Sequence, residues 1–124
     1  MEQKFYKCAI CGQIVSIIKE SGAQLVCCNQ PMNQLIAGTT EASTEKHIPI
    51  FETNNGVVSV SVGEVEHPMS PEHYIEWISL ETNKGNQMQY LNPTDKPFAS
   101  FNIDKDEIIK NVYAYCNLHS LWKK

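Results

Sequence analysis

The sequence predicts a mainly β protein, in which a small metal-stapled module precedes an immunoglobulin-like antiparallel β-sandwich. Three observations predict this class. Four of the five cysteines fall within the first 28 residues, whereas all four histidines lie at position 47 or later. The rest of the chain carries many short runs of β-branched and aromatic residues, separated by turn residues rather than by long helical patterns. We therefore place a domain boundary between residues 1–36 and 37–124.

The first 36 residues form short β-like pieces around turns. Residues 13–18 and 24–26 are aliphatic runs separated by Ser21 and Gly22. A module of this length buries too little apolar surface to fold without a covalent or metal staple. The cysteines are the natural staple.

The segment 37–44 is small and polar, and we interpret it as a linker that includes a helical turn. Beyond it, the turn Asn54-Asn55-Gly56 separates two strands and predicts a hairpin. Asp104 and Glu107 have the spacing of a capping pair, so a short helix before the last strand stays an alternative. The predicted strands of this region are residues 48–53, 57–62, 74–82, 87–91, 98–103 and 108–116.

Composition and charge exclude several classes of protein. Of the 124 residues, 42% are hydrophobic, which is enough for a folded core. A formal charge of −4 disfavours binding to DNA or RNA through phosphates. No apolar run approaches the roughly 20 residues of a membrane helix, and the N-terminus lacks the pattern of a signal peptide. We expect a soluble cytoplasmic protein with no nucleic-acid or membrane partner.

The N-terminal cysteines have the spacing of a metal site. Cys8 and Cys11 form a Cys-x2-Cys knuckle, and the adjacent pair Cys27 and Cys28 follows after fifteen residues. Neighbouring side chains of an extended chain point to opposite faces, so the backbone must turn sharply at this pair and distort the tetrahedron. Four thiolates select iron or zinc, and the ligands alone do not separate the two metals. A purely stapling zinc knuckle stays open.

The second half of the chain supplies a different set of donors. The alternation of Val112, Ala114 and Cys116 places the thiol on one face of the last predicted strand, behind two small apolar residues. Four imidazoles and one thiolate exceed what zinc needs, and five donors leave one position of an octahedron open. Such a site is suited to iron and to chemistry on a small oxygen species. The candidate ligands are His47, His67, His73, Cys116 and His119.

At this point the motifs resemble a known family. The four N-terminal cysteines with QPM (30–32) resemble the desulforedoxin-type module. The segments EKHIP (45–49), HPM (67–69), HYIEW (73–77) and CNLHSLW (116–122) resemble the iron domain of superoxide reductases. Together, over residues 5–123, they resemble the desulfoferrodoxins, the two-iron class of superoxide reductases.

The resemblance implies two iron ions per chain, Fe(Cys)4 and Fe(His)4Cys, and the reduction of superoxide to hydrogen peroxide without release of dioxygen. It implies equatorial histidine ligands and an axial Cys116. It implies that Glu45 occupies the open position of the iron in the oxidised state. It also implies that Lys46 attracts the superoxide anion. It further implies a small electron donor such as rubredoxin, and a homodimer. The alternatives are a two-iron electron carrier without turnover and a zinc-stapled interaction module.

Two residues depart from the family pattern. Ser120 and Asn29 each follow a candidate ligand where the family usually has glycine. If the backbone needs a positive φ at these places, asparagine adopts it more easily than serine does. We therefore expect strain beside His119.

Overall fold

The computed structural model describes residues 2–124, so residue 1 of the predicted module lies outside the described part. The chain separates into two compact units, one ending at Ile36 and the other beginning at Ala37. No helix among the described residues is long and apolar enough to cross a membrane.

The first unit is built from short strands. The central strand β1 pairs antiparallel with both β2 and β5, and β3 pairs with β4 as a separate hairpin. Among the described residues of this unit, the buried apolar side chains are Phe5, Cys8 and Met32, which make a very small core. The strands are β1 Lys4–Lys7, β2 Ile14–Ile17, β3 Val26–Cys27, β4 Gln30–Pro31 and β5 Asn33–Gln34. The predicted run 13–18 contains β2, whereas the run 24–26 overlaps β3 only at Val26.

The second unit contains two antiparallel sheets, as expected for the sandwich class. One sheet has the strand order β10-β7-β6 and the other has the order β12-β11-β8-β9. A helical turn precedes them. The elements are α1 Thr44–His47, β6 Pro49–Asn54, β7 Val57–Val62, β8 Ile75–Thr82, β9 Gly85–Tyr90, β10 Phe98–Asn102, β11 Ile109–Cys116 and β12 Ser120–Lys123.

The core of this unit follows from alternation along the strands. In β7 every second residue is buried, because Val58, Val60 and Val62 point inward between serines. On the facing sheet, Val112, Ala114 and Cys116 of β11 join the same apolar cluster. This confirms the predicted position of the Cys116 thiol, which lies behind Val112 and Ala114 in the apolar core.

Three elements differ from the prediction. The helical turn Thr44–His47 begins at the last residue of the linker and lies mostly beyond it. Strand β12 is absent from the predicted strands. The segment between β10 and β11 is a turn and not a helix, because the Asp104 amide donates to Glu107 Oε1 at 3.0 Å and the Glu107 amide donates to the Asp104 carbonyl at 3.1 Å.

Candidate metal centres

The four N-terminal cysteines converge in space. Their sulfur atoms all lie within 4.8 Å of one another, with 3.6 Å between Cys11 and Cys27 and 4.0 Å between Cys27 and Cys28. Metal–sulfur bonds of about 2.3 Å in a tetrahedron place sulfurs about 3.8 Å apart. The cluster therefore has the dimensions of a four-cysteine metal site.

A tight turn brings the adjacent cysteines together. Cys28 and Asn29 are the two residues between β3 and β4, and both have positive φ angles, 50° and 64°. Positive φ at both central positions is the mark of a type I′ hairpin turn. The sharp bend that the sequence requires at this pair is thus present, and it begins at Cys28 itself.

The thiols of this cluster differ in their ease of ionisation. Amide hydrogen bonds from Cys11 and Ile10 to the Cys8 sulfur lower the pKa of that thiol to about 6. Hydrogen bonding with the sulfurs of Cys11 and Cys8 raises the pKa of Cys27 to about 12. Thiolates this close repel one another, and a cation bound to all four removes that repulsion.

The four histidines form a closed ring in the second unit. Neighbouring rings are 4.6–5.1 Å apart between centroids and nearly perpendicular, in the order His47, His67, His73, His119. Across this ring, His47 and His73 are 6.4 Å apart. Equal sides with a longer diagonal describe a square.

The nitrogens that face the middle of the square carry lone pairs. His47 Nδ1 lies 2.7 Å from the Ser43 carbonyl, and His67 Nδ1 lies 2.7 Å from the Pro68 carbonyl. Carbonyls only accept, so both rings are protonated at Nδ1 and both Nε2 atoms are free donors to a metal. The two Nε2 atoms are nevertheless only 3.1 Å apart.

This spacing fits a metal ion with right-angled ligands. Metal–nitrogen bonds of about 2.1 Å give about 3.0 Å between nitrogens at 90° and about 3.4 Å in a tetrahedron. The distance from His47 Nε2 to His119 Nδ1 is also 3.1 Å. His73 Nε2 is buried without a hydrogen-bond partner among the described residues. Both nitrogen–nitrogen distances therefore fit right-angled coordination of one cation, and the lone pair of His73 Nε2 is available to it.

The thiol of Cys116 completes the second cluster. With His47, His67 and His73 it forms a group whose ligand atoms all lie within 4.8 Å of one another. Its sulfur is 3.9 Å from His119 Nδ1. Burial raises the pKa of this thiol, and backbone hydrogen bonds from His119 and Leu118 act in the opposite direction. A neighbouring cation is what would ionise it.

Burial also favours the neutral form of three of the imidazoles. Desolvation lowers the pKa of His47 and His73, and it lowers that of His67 to about 4. Neutral rings keep their lone pairs, which is the state a metal ligand requires.

Glu45 and Lys46 lie on α1, which ends at His47. The positive charge of Lys46 contributes to the lowered pKa of both His47 and His73, so it acts within reach of the square. Glu45 accepts a 3.4 Å hydrogen bond from the Ser43 hydroxyl, and its carbonyl accepts from the Val65 amide at 2.9 Å. Both side chains are exposed.

A glycine allows α1 to approach the end of β7. A Cβ on Gly63 would lie 2.7 Å from the Glu45 carbonyl oxygen and 2.8 Å from that of Ile48. No side chain fits at such distances, so glycine permits this backbone contact. The sequence gives no sign of this role, because the contact depends on the tertiary fold.

Two further residues contact the ligands, and the sequence marks them only as members of a motif. Trp122 donates its indole N–H to the His119 carbonyl at 2.9 Å, and its ring lies 4.9 Å from that of His47. Asn117 bonds the backbone on both sides of His73. Both come from the segment that contains Cys116 and His119.

The fold and the two clusters define a metal-binding β protein with a four-cysteine site and a histidine–cysteine site. Comparison with protein families agrees. The family model "Desulfoferrodoxin" matches residues 39–124, and "Desulfoferrodoxin, N-terminal domain" matches residues 1–35.

Individual relatives cover nearly the whole chain. The desulfoferrodoxin of Syntrophotalea carbinolica is 44% identical over 117 residues, which is 94% of this chain and 91% of that protein. The crystal structure of the superoxide reductase from Treponema pallidum matches with a TM-score of 0.84 and 34% identity, covering 100% of this chain and 99% of that one.

A one-iron relative matches a smaller part. The superoxide reductase (1Fe-SOR) from Giardia intestinalis covers 64% of this chain and 95% of its own, with a TM-score of 0.55 and 34% identity. This chain belongs to the desulfoferrodoxin family. Its two donor clusters are those of the two-iron members, and its relatives place it among the oxidoreductases.

Proposed function

We propose that this protein is a superoxide reductase, which converts superoxide to hydrogen peroxide without forming dioxygen. The observation that carries the proposal is the 3.1 Å spacing of the histidine nitrogens, which fits right-angled coordination. Four imidazoles in a square with one thiol leave the sixth position of an octahedron for a small ligand. A pure electron carrier gains nothing from such a position.

We assign the ligands of the two irons to the two clusters. The four-cysteine site uses Cys8, Cys11, Cys27 and Cys28. At the reactive site, the iron would be held by His47, His67, His73, His119 and Cys116. Bound there, iron would supply one electron for each superoxide, and the Cys116 thiolate would raise its electron density.

Two charged residues of α1, Glu45 and Lys46, are assigned roles beside the metal site. Lys46 attracts superoxide, which is supported by the effect of its charge on the pKa of His47 and His73. Two protons from solvent complete the conversion of superoxide to hydrogen peroxide. Glu45, one residue before Lys46 on α1, is the carboxylate that would bind the iron in the oxidised protein.

The remaining roles rest on the family. The four-cysteine site would act as an auxiliary electron centre, supplied by a small donor protein such as rubredoxin, and the protein would form a homodimer. We also propose a cytoplasmic location.

The test is the product balance. The iron-loaded protein, reduced without air, is given a pulse of superoxide, and hydrogen peroxide and dioxygen are both measured. We expect as much peroxide as superoxide consumed and no dioxygen. Release of dioxygen would indicate dismutation, and unchanged superoxide decay would favour an electron carrier without turnover. Either result would contradict the proposal.

A further inference from the structure

The side chain of Asn117 brackets His73. Its Oδ1 accepts a hydrogen bond from the Tyr74 amide at 2.9 Å, and its Nδ2 donates to the Glu72 carbonyl at 2.9 Å. The Asn117 amide also donates to the Tyr74 carbonyl at 3.2 Å. The two side-chain bonds therefore hold the peptide groups immediately before and after His73, and the backbone bond holds the next peptide group along the chain.

The ring of His73, unlike the rings of His47 and His67, makes no hydrogen bond to a carbonyl among the described residues. The rings of His47 and His67 are each fixed by a 2.7 Å hydrogen bond to a carbonyl. His73 Nε2 has no hydrogen-bond partner among the described residues, and the bonds that hold this residue are made by its backbone. The direction of its lone pair consequently depends on its backbone.

Asn117 also connects two candidate ligands that are far apart in the chain, Cys116 and His73. It follows Cys116, the last residue of β11. Its hydrogen bond with Tyr74, 43 positions away, therefore joins the end of this strand to the segment that carries the His73 imidazole. Only a carboxamide offers a donor and an acceptor in one plane for two such peptide groups. Aspartate keeps the acceptor and loses the donor.

We propose that Asn117 is a positioning residue of the reactive metal centre, which sets the orientation of His73 relative to Cys116. It does not touch the substrate. The inference rests on the iron site of the proposed function, but not on superoxide chemistry. Outer contacts of this kind typically contribute about 10–100-fold to metal affinity.

An ordinary loop contact would have a different effect, and Asn83 offers the matched control. Its Oδ1 accepts the Ile108 amide at 2.7 Å, so it also joins two loops of the same unit through a side-chain amide. It lies in the turn between β8 and β9, apart from the ligands. Asn83→Ala therefore removes a comparable hydrogen bond without a contact to the metal centre.

The experiment compares Asn117→Ala, Asn117→Asp and Asn83→Ala as full, iron-loaded chains. Thermal unfolding measures the general cost. The rate of iron loss to a chelator and the thiolate-to-iron absorption band measure the centre, with no superoxide present. We expect both Asn117 variants to lose this iron faster than the wild type, on the order of 10–100-fold for Asn117→Ala, with a shifted band. Asn83→Ala should retain both.

Equal iron retention and an unchanged band in the Asn117 variants and in Asn83→Ala would overturn the inference. If Asn117→Ala does not fold, Asn117→Asp decides, because it preserves the shape and the bond to Tyr74. Failure of the proposed function appears elsewhere, as missing iron or missing turnover in the wild-type protein.

Discussion

The orientation of each imidazole depends on what its second nitrogen contacts. His47 and His67 present Nε2 to the centre because Nδ1 is bonded to a carbonyl, whereas His119 presents Nδ1. The types of ligand can be predicted from the sequence, since cysteine and histidine are few. The carbonyls of Ser43 and Pro68 cannot, because any residue could supply them.

Cys116 should be the least replaceable ligand. Serine at this position exchanges a soft thiolate for a harder oxygen donor and removes the electron density that sulfur supplies. We expect Cys116→Ser to lose the ferric thiolate absorption together with superoxide turnover. Visible spectra and pulse kinetics on iron-loaded protein measure both. Normal turnover in this variant would show that the axial ligand is wrongly assigned.

Ser120 is strained in the way the sequence suggests. Its φ is 65°, a left-handed conformation that costs an L-residue about 1–2 kcal/mol. Glycine removes that cost, but it loses about 0.4–1 kcal/mol through the greater freedom of the unfolded chain. We expect Ser120→Gly to raise the free energy of unfolding by roughly 0.5–1 kcal/mol, as measured by denaturant titration.

Ser100 supplies the control for this substitution. It lies in β10 without a positive φ, and its side chain is exposed. Glycine in a strand interior is destabilising, so Ser100→Gly should lower the stability of the same protein. If Ser120→Gly were equally destabilising, the serine side chain would have a role that outweighs the backbone strain.

At the scale of elements, the hairpin of β3 and β4 supplies two sulfurs, those of Cys27 and Cys28, to the four-cysteine site. Its two-residue turn carries Cys28 as a ligand and Asn29 as the residue that tolerates positive φ. With only two residues in each strand, the hairpin has little stability of its own. We infer that metal binding and the folding of this unit are linked.

Cys28→Ser tests the separation of the two centres. The substitution removes one of four sulfurs but leaves every donor of the histidine–cysteine site in place. We expect the absorption of the four-cysteine site to be lost or altered, while superoxide reduction by pre-reduced protein continues at close to the wild-type rate. Loss of turnover in a folded variant with a full second site would contradict an auxiliary role for the four-cysteine iron.

The elements that the sequence predicts are those with strong local signals. Strand β7 has the bounds predicted from its alternating valines and serines, and apolar or aromatic residues occupy at least half of the positions in β8 and β11. Strand β12 has four residues and gains its structure by pairing with β11. Pairing of this kind depends on the partner strand, which explains why the local pattern does not predict β12.

At the scale of the whole molecule, the two units are stabilised differently. The second unit has an apolar cluster drawn from both sheets, whereas the first has very few buried apolar residues around its cysteines. This contrast could be predicted from cysteine spacing and strand patterns alone. The square of histidines could not, because its members are separated by up to 72 positions in the chain and meet only through the sandwich.

The net charge of the molecule opposes its proposed substrate. A formal charge of −4 repels an anion, so a local positive field must attract superoxide. Divalent iron with four neutral imidazoles and one thiolate carries about +1, since the thiolate cancels one of the two metal charges. Lys46 adds a second positive charge, and its effect on the pKa of His73 places that charge near the centre.

Lys46→Ala should therefore slow the capture of superoxide, with a loss on the order of 10-fold at low salt, the lower end of the range for electrostatic steering. The difference should shrink as salt shortens the screening length to about 10 Å at 0.1 M. Lys105→Ala is the matched control, because it makes the same change in net charge at an exposed turn between β10 and β11. Second-order rates across ionic strength separate the two variants. If both slow the reaction equally, net charge alone governs the encounter; if neither does, the iron captures its substrate without help from Lys46.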